Sequence, residues 1–508
     1  MEKLQRRSQS KDDVPVELIH RIQSLLSVEE AARTCVLSKT WSHAWSTIPH
    51  LRFYKPSQFL DEEKQRDHIK FMDRTMSKYV RDNIPIERLD LKLHVRFVNV
   101  AYKWLRTLAA ARLKELSIVI FYDSDTTRRK RKRNLLPGEI FTGKYLHTLC
   151  IIDSRVRSKL VTINCVSLRV LELIFVKISE EVLHTLFSTC TLLENIKLSY
   201  CSGLKTIKVR NLRYLQQLKL ETTIPIDVLK IDDVPNLCLF DYDVVYEPIK
   251  TFNTASLTSV TELSLHGVTI DVAFLDMIKS KLPFLEILKL KIIDWTMERL
   301  DITSCSLKRL SLMYFEERQI CIKVYAPKLR ALCYSGNTIP SLLFPSSSST
   351  TPPEYIKVEL YLSNPIDLFF FLRMTDLLNL SSKFDIEIRY HIREPLNMDV
   401  NDGEIRWFPI PSTNVQQLSF YTRNQTLIDA LLSICRPKYI TIFCDSTVMG
   451  FSRKFFLLMI SRIMANKTCD QKKMEVKNPY NEKWQVVKNS SIPYVDDGNL
   501  KLELKPNW

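Results

Sequence analysis

Side chains capable of acid–base, nucleophilic or metal chemistry are present in this sequence, but their spacing suits none of it. The nine histidines are dispersed, and none stands at a spacing from a carboxylate or cysteine that would suggest a site. Twelve cysteines are scattered with no Cys-x-x-Cys pair, which argues against a zinc centre. The carboxylate pairs Asp232-Asp233 and Asp496-Asp497 read as solvated turns. No Gly-x-Gly-x-x-Gly, Walker loop, His-Glu-x-x-His or Gly-x-Ser-x-Gly occurs, and 8 glycines leave little material for a phosphate cradle. No catalytic, cofactor-binding or metal-binding residue is therefore assigned. The dense cluster of one chemistry is cationic: Arg128, Arg129, Lys130, Arg131, Lys132 and Arg133. Such a run suits a nuclear localisation signal, and equally a solvated loop. It supplies six of the +16 net charge; the other +10 is spread along the chain, so nucleic-acid binding is a weak reading and nucleic acid an unlikely partner. The chemistry left to the chain is recognition.

Recognition needs elements to carry it, and the first lies near the start. Asp12 or Asp13 can cap a helix whose first turn suits Pro15. Leu18, Ile19, Ile22, Leu25 and Leu26 then fall at helical spacing and form one wide apolar stripe. Glu29 and Glu30 open a second short helix with the charge its N-terminus prefers. Val36, Leu37, Trp41 and Trp45 form a third group, the indoles four residues apart on one helical face. Roughly 40 residues cannot bury an independent core, so so apolar a segment is expected to complete itself against a partner.

The order Pro15, Leu18-Ile19, Ile22, Val36-Leu37-Ser38, Trp41, Trp45 closely resembles the F-box, with Val14-Pro15 where that family usually has Leu-Pro. A helical cap on a larger domain is the alternative. At 508 residues the chain should hold more than one structural unit. Its polar start, Met-Glu-Lys-Leu-Gln-Arg-Arg, reads as no signal peptide, and no apolar run is long enough to span a bilayer. The thiols are expected to be reduced and mostly buried, in the nucleus and/or cytoplasm.

The second signal is a period. The pattern apolar-x-x-apolar-x-apolar starts at Leu113, Leu146, Leu168, Leu193, Leu215, Leu237, Val260, Leu285, Leu307 and Leu329, at intervals of 33, 22, 25, 22, 22, 23, 25, 22 and 22. An earlier copy begins at Ile86, with Leu89 and Leu91. At 45% apolar residues chance supplies about one start in eleven, but not ten at a nearly fixed spacing. This resembles leucine-rich repeats, whose strands bury alternate side chains only when neighbours stack. The Cys or Asn that should follow the last leucine is clear only at Cys201 and Asn337. Helices are expected from Ser179 to Cys190 and from Asp271 to Leu282, and another from Phe59 to Val80 between the two parts.

On the exposed strand face the expected rows are Ser117, Cys150, Glu172, Lys197, Lys219, Asp241, Ser264, Lys289, Ser311, Cys333 and, two positions on, Val119, Ile152, Ile174, Ser199, Glu221, Asp243, His266, Lys291, Met313, Ser335. Val119, Ile152 and Ile174 suit either a partner or the linker after the first module. Beyond Pro345–Pro353 the strand pattern returns at Val358-x-Leu360, Val415-x-x-Leu418-x-Phe420 and Ile440-x-Ile442, with a helix carrying Leu427, Ile428, Leu431 and Leu432.

Taken together, the chain resembles plant proteins that join an F-box to degenerate leucine-rich repeats. The resemblance implies an α/β solenoid: a small N-terminal all-α F-box followed by a leucine-rich-repeat horseshoe. The parts are 10–55 F-box, 56–85 linker helix, 86–340 repeats, 341–353 Ser/Pro-rich loop, 354–465 divergent capping repeats and 466–508 polar tail. It also implies a non-catalytic substrate-recognition subunit of an SCF-type (Skp–cullin–F-box) ubiquitin ligase, needing no cofactor. Val14, Pro15, Leu18, Ile19, Ile22, Leu25, Val36, Leu37 and Trp41 would meet a Skp-type adaptor and through it a cullin. Lys197, Lys219, Glu221, Asp243, His266 and Lys289 are the candidates for holding a target protein. A repeat scaffold outside any ligase, or a basic nuclear nucleic-acid binder, are the rival readings; no membrane partner is expected.

Overall fold

Repeats of one apolar face dictate a sheet, and the computed structural model contains one in each of two units, Met1–Val260 and Thr261–Trp508. It describes residues 14–53, 62–108, 112–121, 134–157, 162–224, 226–244, 252–253, 257–295, 299–345, 352–364, 366–390, 411–422, 424–444, 475–477, 484–486 and 500–506. The division between units falls inside the stretch 86–340 that the period reads as continuous.

In the N-terminal unit the chain runs through α1 (Val16–Leu25), α2 (Val28–Arg33), a 3-10 turn (Thr34–Val36), α3 (Lys39–Ser46), a strand at His50–Phe53 and α4 (Glu62–Arg81). The strands Arg88–His94, Glu115–Phe121, Thr148–Ile152, Val170–Ile174, Asn195–Ser199, Gln217–Thr222 and Leu239–Val244 follow, with α5 (Val98–Leu108) and α6 (Glu180–Thr189) between them. All pair in parallel, in chain order, beginning with His50–Phe53. The register aligns Leu51, Leu89, Leu116, Leu149, Leu171, Ile196, Leu218 and Phe240 across the sheet, every one buried. The strand His50–Phe53 is absent from the sequence reading, which placed these residues in the helical module. Four residues are too short for a period-2 signal, yet Leu51 and Phe53 extend the buried rows.

What lies behind the sheet depends on repeat length. The two 25-residue intervals, from Leu168 and from Val260, hold α6 and α7 (Val272–Lys281). The 22-residue intervals from Leu193, Leu215, Leu285 and Leu307 hold second strands instead: Thr206–Arg210, Val228–Asp232, Arg299–Thr303 and Cys321–Tyr325. Ten helical residues advance about 15 Å and five extended ones about 17 Å, so both span the same gap with different numbers of residues. The helices expected at Ser179–Cys190 and Asp271–Leu282 are in place, capped by the Ser179 and Asp271 side chains. Gly203, at φ 92, permits the turn after Cys201; a Cβ there would sit 2.6 Å from the Ile178 carbonyl oxygen. Cys201 and Asn337, the two recognisable consensus residues, each donate to a carbonyl of the preceding repeat, Leu173 (3.3 Å) and Phe315.

The C-terminal unit repeats the plan in Glu262–Ile270, Ile287–Trp295, Arg309–Tyr314, Ala331–Gly336, Tyr355–Leu362, Lys383–Tyr390, Val415–Tyr421 and Tyr439–Cys444, again parallel and in chain order. Helices α8 (Leu368–Leu378) and α9 (Gln425–Ile434) cross behind the later strands. The strand Lys383–Tyr390 and α8 lie between sequence landmarks and went unread. The expected loop 341–353 begins later than drawn, since Ser341–Leu343 pairs with Cys321–Lys323.

The polar tail 466–508 also needs correction. Leu500–Lys505 runs antiparallel along Tyr439–Cys444, and Glu475–Lys477 pairs with Trp484–Val486 and with Leu500–Lys505. A parallel stack ends in a strand with open backbone groups and an uncovered apolar row, and the antiparallel strand supplies both partners. Leu504, paired with Ile440, is fully buried. Leu504→Ala should therefore lower the stability of the C-terminal unit by about 2–4 kcal/mol, read as a fall in its urea unfolding midpoint; an unchanged midpoint would show that the strand caps nothing.

Candidate functional site

The helical module is assembled from polar bonds inside and leaves apolar side chains outside. α1 begins after Pro15, whose carbonyl oxygen accepts from the amides of Leu18 (3.0 Å) and Ile19 (3.1 Å). Pro15 stands at the N-cap, not within the first turn, and makes no side-chain cap. The proposed caps Asp12 and Asp13 lie outside the described residues. Ser27 and Glu30 form a reciprocal capping box at α2, and the Ser27 amide and hydroxyl hold the Glu30 carboxyl below its usual range. Ser38 caps α3 through the Trp41 amide.

Gln23, buried on the inner face of α1, donates to Thr34 Oγ1 (2.8 Å) and to the Trp41 carbonyl oxygen (3.2 Å). These bonds fix the turn carrying Val36 and Leu37 beside α1. His20 Nε2 lies 3.1 Å from the Ala44 carbonyl oxygen and from Thr47 Oγ1, joining α1 to α3.

The opposite face of α1 carries Leu18, Ile22 and Leu25 at i, i+4 and i+7, all exposed, with Val14 at its head. Val36 and Leu37 are exposed as well, at 88% and 63%. Of the nine sequence-predicted contact residues, Ile19 departs: it is 1% exposed and packs inside the module. One apolar stripe thus divides between two jobs, because a helix this short has a core on one side and solvent on the other. Trp41 is half-buried, and Pro15 is exposed.

The module is tied to the sheet behind it. His68 Nδ1 of α4 lies 2.6 Å from Glu29 Oε1 of α2. The Tyr79 hydroxyl donates to the Ile48 (3.1 Å) and Trp45 (3.3 Å) carbonyl oxygens. Arg52, in the first strand, donates to the Leu25 carbonyl oxygen (3.3 Å) and pairs with Asp90 of the next strand (3.4 Å). Helix α4 covers Glu62–Arg81, with Met72 and Met76 buried; Phe59, its expected start, lies outside the described residues. At the apolar end of the strand face Val119, Ile152 and Ile174 are half-buried, and residues 54–61 of the expected linker lie outside the described residues.

The rows expected on that face are in register. In the N-terminal unit Glu172, Lys197, Lys219 and Asp241 lie side by side, as do Ser199, Glu221 and Asp243. Lys197 Nζ is 3.9 Å from Glu221 Oε1, an exposed pair of small energetic weight. In the C-terminal unit Ser264 neighbours Lys289, and His266 neighbours Lys291; Lys289 is paired with Glu262 at 2.7 Å. The six candidate target contacts therefore fall on two units, Lys197, Lys219, Glu221 and Asp243 on the first, His266 and Lys289 on the second. The run Arg128–Arg133 lies outside the described residues.

A further polar face escaped the sequence reading. Tyr355, Lys357, Glu359 and Tyr361 alternate with buried residues, as do Asp385, Glu387 and Arg389 in the next strand. The signal was available as strict period-2 alternation, but only Val358 and Leu360 were read from it. Glu359 accepts from Lys357 (2.5 Å) and Ser335 (2.9 Å); burial pushes its carboxyl up, and these two bonds outweigh it and hold it below the usual range.

Among the described residues no group of three or more His, Cys, Asp or Glu side chains could hold a metal ion. Cys165, Cys190 and Cys435 are buried, and burial pushes their thiols up to about 11, 12 and 12, so none is a ready nucleophile. Among the described residues no helix is long and apolar enough to cross a membrane. What the arrangement offers is surface: an apolar helical face at one end, and polar strand faces in each unit.

Residues 101–240 and 216–347 match the family described as FBD-associated F-box protein At5g56370, LRR repeats. The chain is similar to F-box protein At1g80960 of Arabidopsis thaliana, 24% identical over 238 residues, 44% of this chain and 49% of that protein. It is similar to the probable FBD-associated F-box protein At1g32375 of the same plant, 26% over 239 residues, 45% and 54%. F-box/LRR-repeat protein 25, also of Arabidopsis thaliana, is 25% identical over 223 residues, 43% of this chain and 78% of that protein. The matched stretch spans about half the length of the first two relatives.

The division of α1 into inner and outer faces is testable by substitution. Ile19→Ala should cost the helical module about 2–5 kcal/mol, seen as faster hydrogen exchange of α1 and α3 amides. Leu18→Ala should change that exchange by less than about 0.5 kcal/mol. Equal effects would refute the assignment of faces.

Proposed function

We propose that this chain, which carries the leucine-rich repeats of FBD-associated F-box proteins, is a target-recognition subunit of an SCF-type ubiquitin ligase. In this reading α1 to α3 form an F-box that docks a Skp-type adaptor, and through it a cullin. The repeats hold the protein to be modified. The chain itself is non-catalytic; the conjugating enzyme of the assembled ligase does the chemistry, and the work belongs to the nucleus or cytoplasm.

One observation carries the proposal: the helical module leaves Leu18, Ile22, Leu25, Val36 and Leu37 in solvent while its own interior is closed by Gln23 and His20. Fully burying such side chains yields about 1.5–3 kcal/mol each, on the order of 10 kcal/mol for five. That exceeds the association cost only if a single partner covers most of them together. A flat adaptor surface seated on α1 and the Thr34–Val36 turn would do so. The names of the relatives, F-box and F-box/LRR-repeat, support the same reading.

Geometry supports this role for the repeats. The strand His50–Phe53 belongs both to the module and to the sheet, so a target on the N-terminal unit's strand face would be held at a fixed distance from the adaptor. Proximity of this kind raises the local concentration of target lysines near the activated ubiquitin.

The test is co-purification of the chain with a Skp-type adaptor, beside a Leu18→Asp/Ile22→Asp variant. A stoichiometric complex is expected with the wild type and none with the variant, whose unfolding midpoint should stay within about 1 kcal/mol because both positions are exposed. No complex with the wild type would overturn the proposal in favour of a repeat scaffold outside any ligase.

A further inference from the structure

The C-terminal unit presents a groove on its strand face that none of the sequence landmarks anticipates. It has a volume of about 310 Å³ and is bounded by Lys357, Asp385, Glu387, Phe443 and Glu503, with Gln417, Ser419 and Thr441 beneath. Register explains its shape. Glu387, Ser419, Thr441 and Glu503 stand side by side on four neighbouring strands. Two small hydroxyl residues between two carboxylates make a trough about 14 Å long, three strand spacings of roughly 4.8 Å.

One wall is the Phe443 ring, which ends an aromatic row lying beside the groove. Tyr361, Arg389 and Tyr421 occupy one register position on successive strands. The Arg389 guanidinium lies 5.0 Å from the Tyr361 ring centre and 4.3 Å from that of Tyr421. Tyr421 in turn stacks on Phe443, centroids 4.0 Å apart and rings within 5° of parallel. The face therefore already packs a guanidinium against aromatic rings.

The charge around the trough is uneven. Asp385 and Glu387 line it beside Lys357, and Glu359 and Arg389 flank them on the same strand face. Lys357 is spent on Glu359 (2.5 Å), and Arg389 on Glu387 (2.9 and 2.6 Å). Asp385 is met by the Tyr355 hydroxyl at 2.7 Å, a neutral donor. A cation entering here would gain a carboxylate that no cation of the described residues pairs, hydroxyl and amide oxygens below, and a ring at its side. A planar guanidinium, with five donors in a fixed fork and a face that stacks, uses all three at once; an ammonium has three donors but neither the fork nor the flat face.

We propose that this groove docks an arginine side chain carried on an extended segment of the target protein. The inference rests on the reading of the chain as a target receptor and specifies what part of a target it would take. Charge complementarity supplies orientation, because Asp385 and Glu387 select against acidic segments as well as attracting basic ones.

The experiment is calorimetric titration of the full chain with the blocked pentapeptide Gly-Ser-Arg-Ser-Gly and with its lysine and glutamate counterparts at low salt. Two variants accompany the wild type: Asp385→Asn, which removes the charge, and Gln417→Arg, which fills the trough with a cation of the chain's own. The arginine peptide should bind the wild type, at least about threefold more tightly than the lysine peptide, with no heat from the glutamate peptide. Both variants should weaken it about tenfold or more. Equal binding of arginine and glutamate peptides, or undiminished binding by the variants, would overturn the groove. The urea unfolding midpoint of the C-terminal unit, unchanged in both variants, shows that they fold, and adaptor binding by the same samples keeps the two proposals apart. Adaptor binding without peptide binding sinks the groove alone; peptide binding without adaptor binding sinks the receptor reading and leaves the groove.

Discussion

Parallel register is the constraint on which the rest of this structure depends. A strand of four to nine residues cannot bury an apolar face by itself, and here each depends on its neighbours and on the helix or second strand behind it. Leu89 meets Leu116, Leu116 meets Leu149, and so on to Phe240, because a slip of one residue would turn every buried leucine to the other face. The same register that aligns the leucines also aligns what lies between them. Glu172, Lys197, Lys219 and Asp241 form a row for no reason of their own; the interior places them.

A stack built this way has ends, and the ends are where the chain becomes specific. At the start of the N-terminal unit the strand His50–Phe53 receives the helical module, held by His68 to Glu29, Tyr79 to Ile48 and Arg52 to Leu25. At the end of the C-terminal unit an antiparallel strand seals the sheet with Leu504. The first closure leaves an apolar helical face in solvent, the second leaves a charged trough beside its own sealing strand. Both candidate surfaces are consequences of how a repeat stack stops.

Much of this was legible in the residues. The buried rows, both 25-residue repeats with their helices and the apolar stripe of α1 follow from periodicity alone. Ile19 was misassigned because helical spacing reveals a stripe but not which part of it the rest of the module covers. His50–Phe53 was missed because two buried residues make no pattern until Leu89 and Leu91 are beside them. The strand Leu500–Lys505 was hidden by its lysines, which alternate with the apolar residues that pair. The groove needed three dimensions: Asp385, Gln417 and Thr441 are far apart in the chain and adjacent only through the sheet.

The central claim is that a rigidly mounted helical module offers its outer apolar face to an adaptor while the repeats stay free for something else. Hydrogen–deuterium exchange of the full chain, with and without a Skp-type adaptor, tests it directly. The account predicts new protection in residues 14–26 and 34–38, with the strands from Glu115 onward unchanged. Protection confined to the repeats, or none anywhere at saturating adaptor, would contradict it.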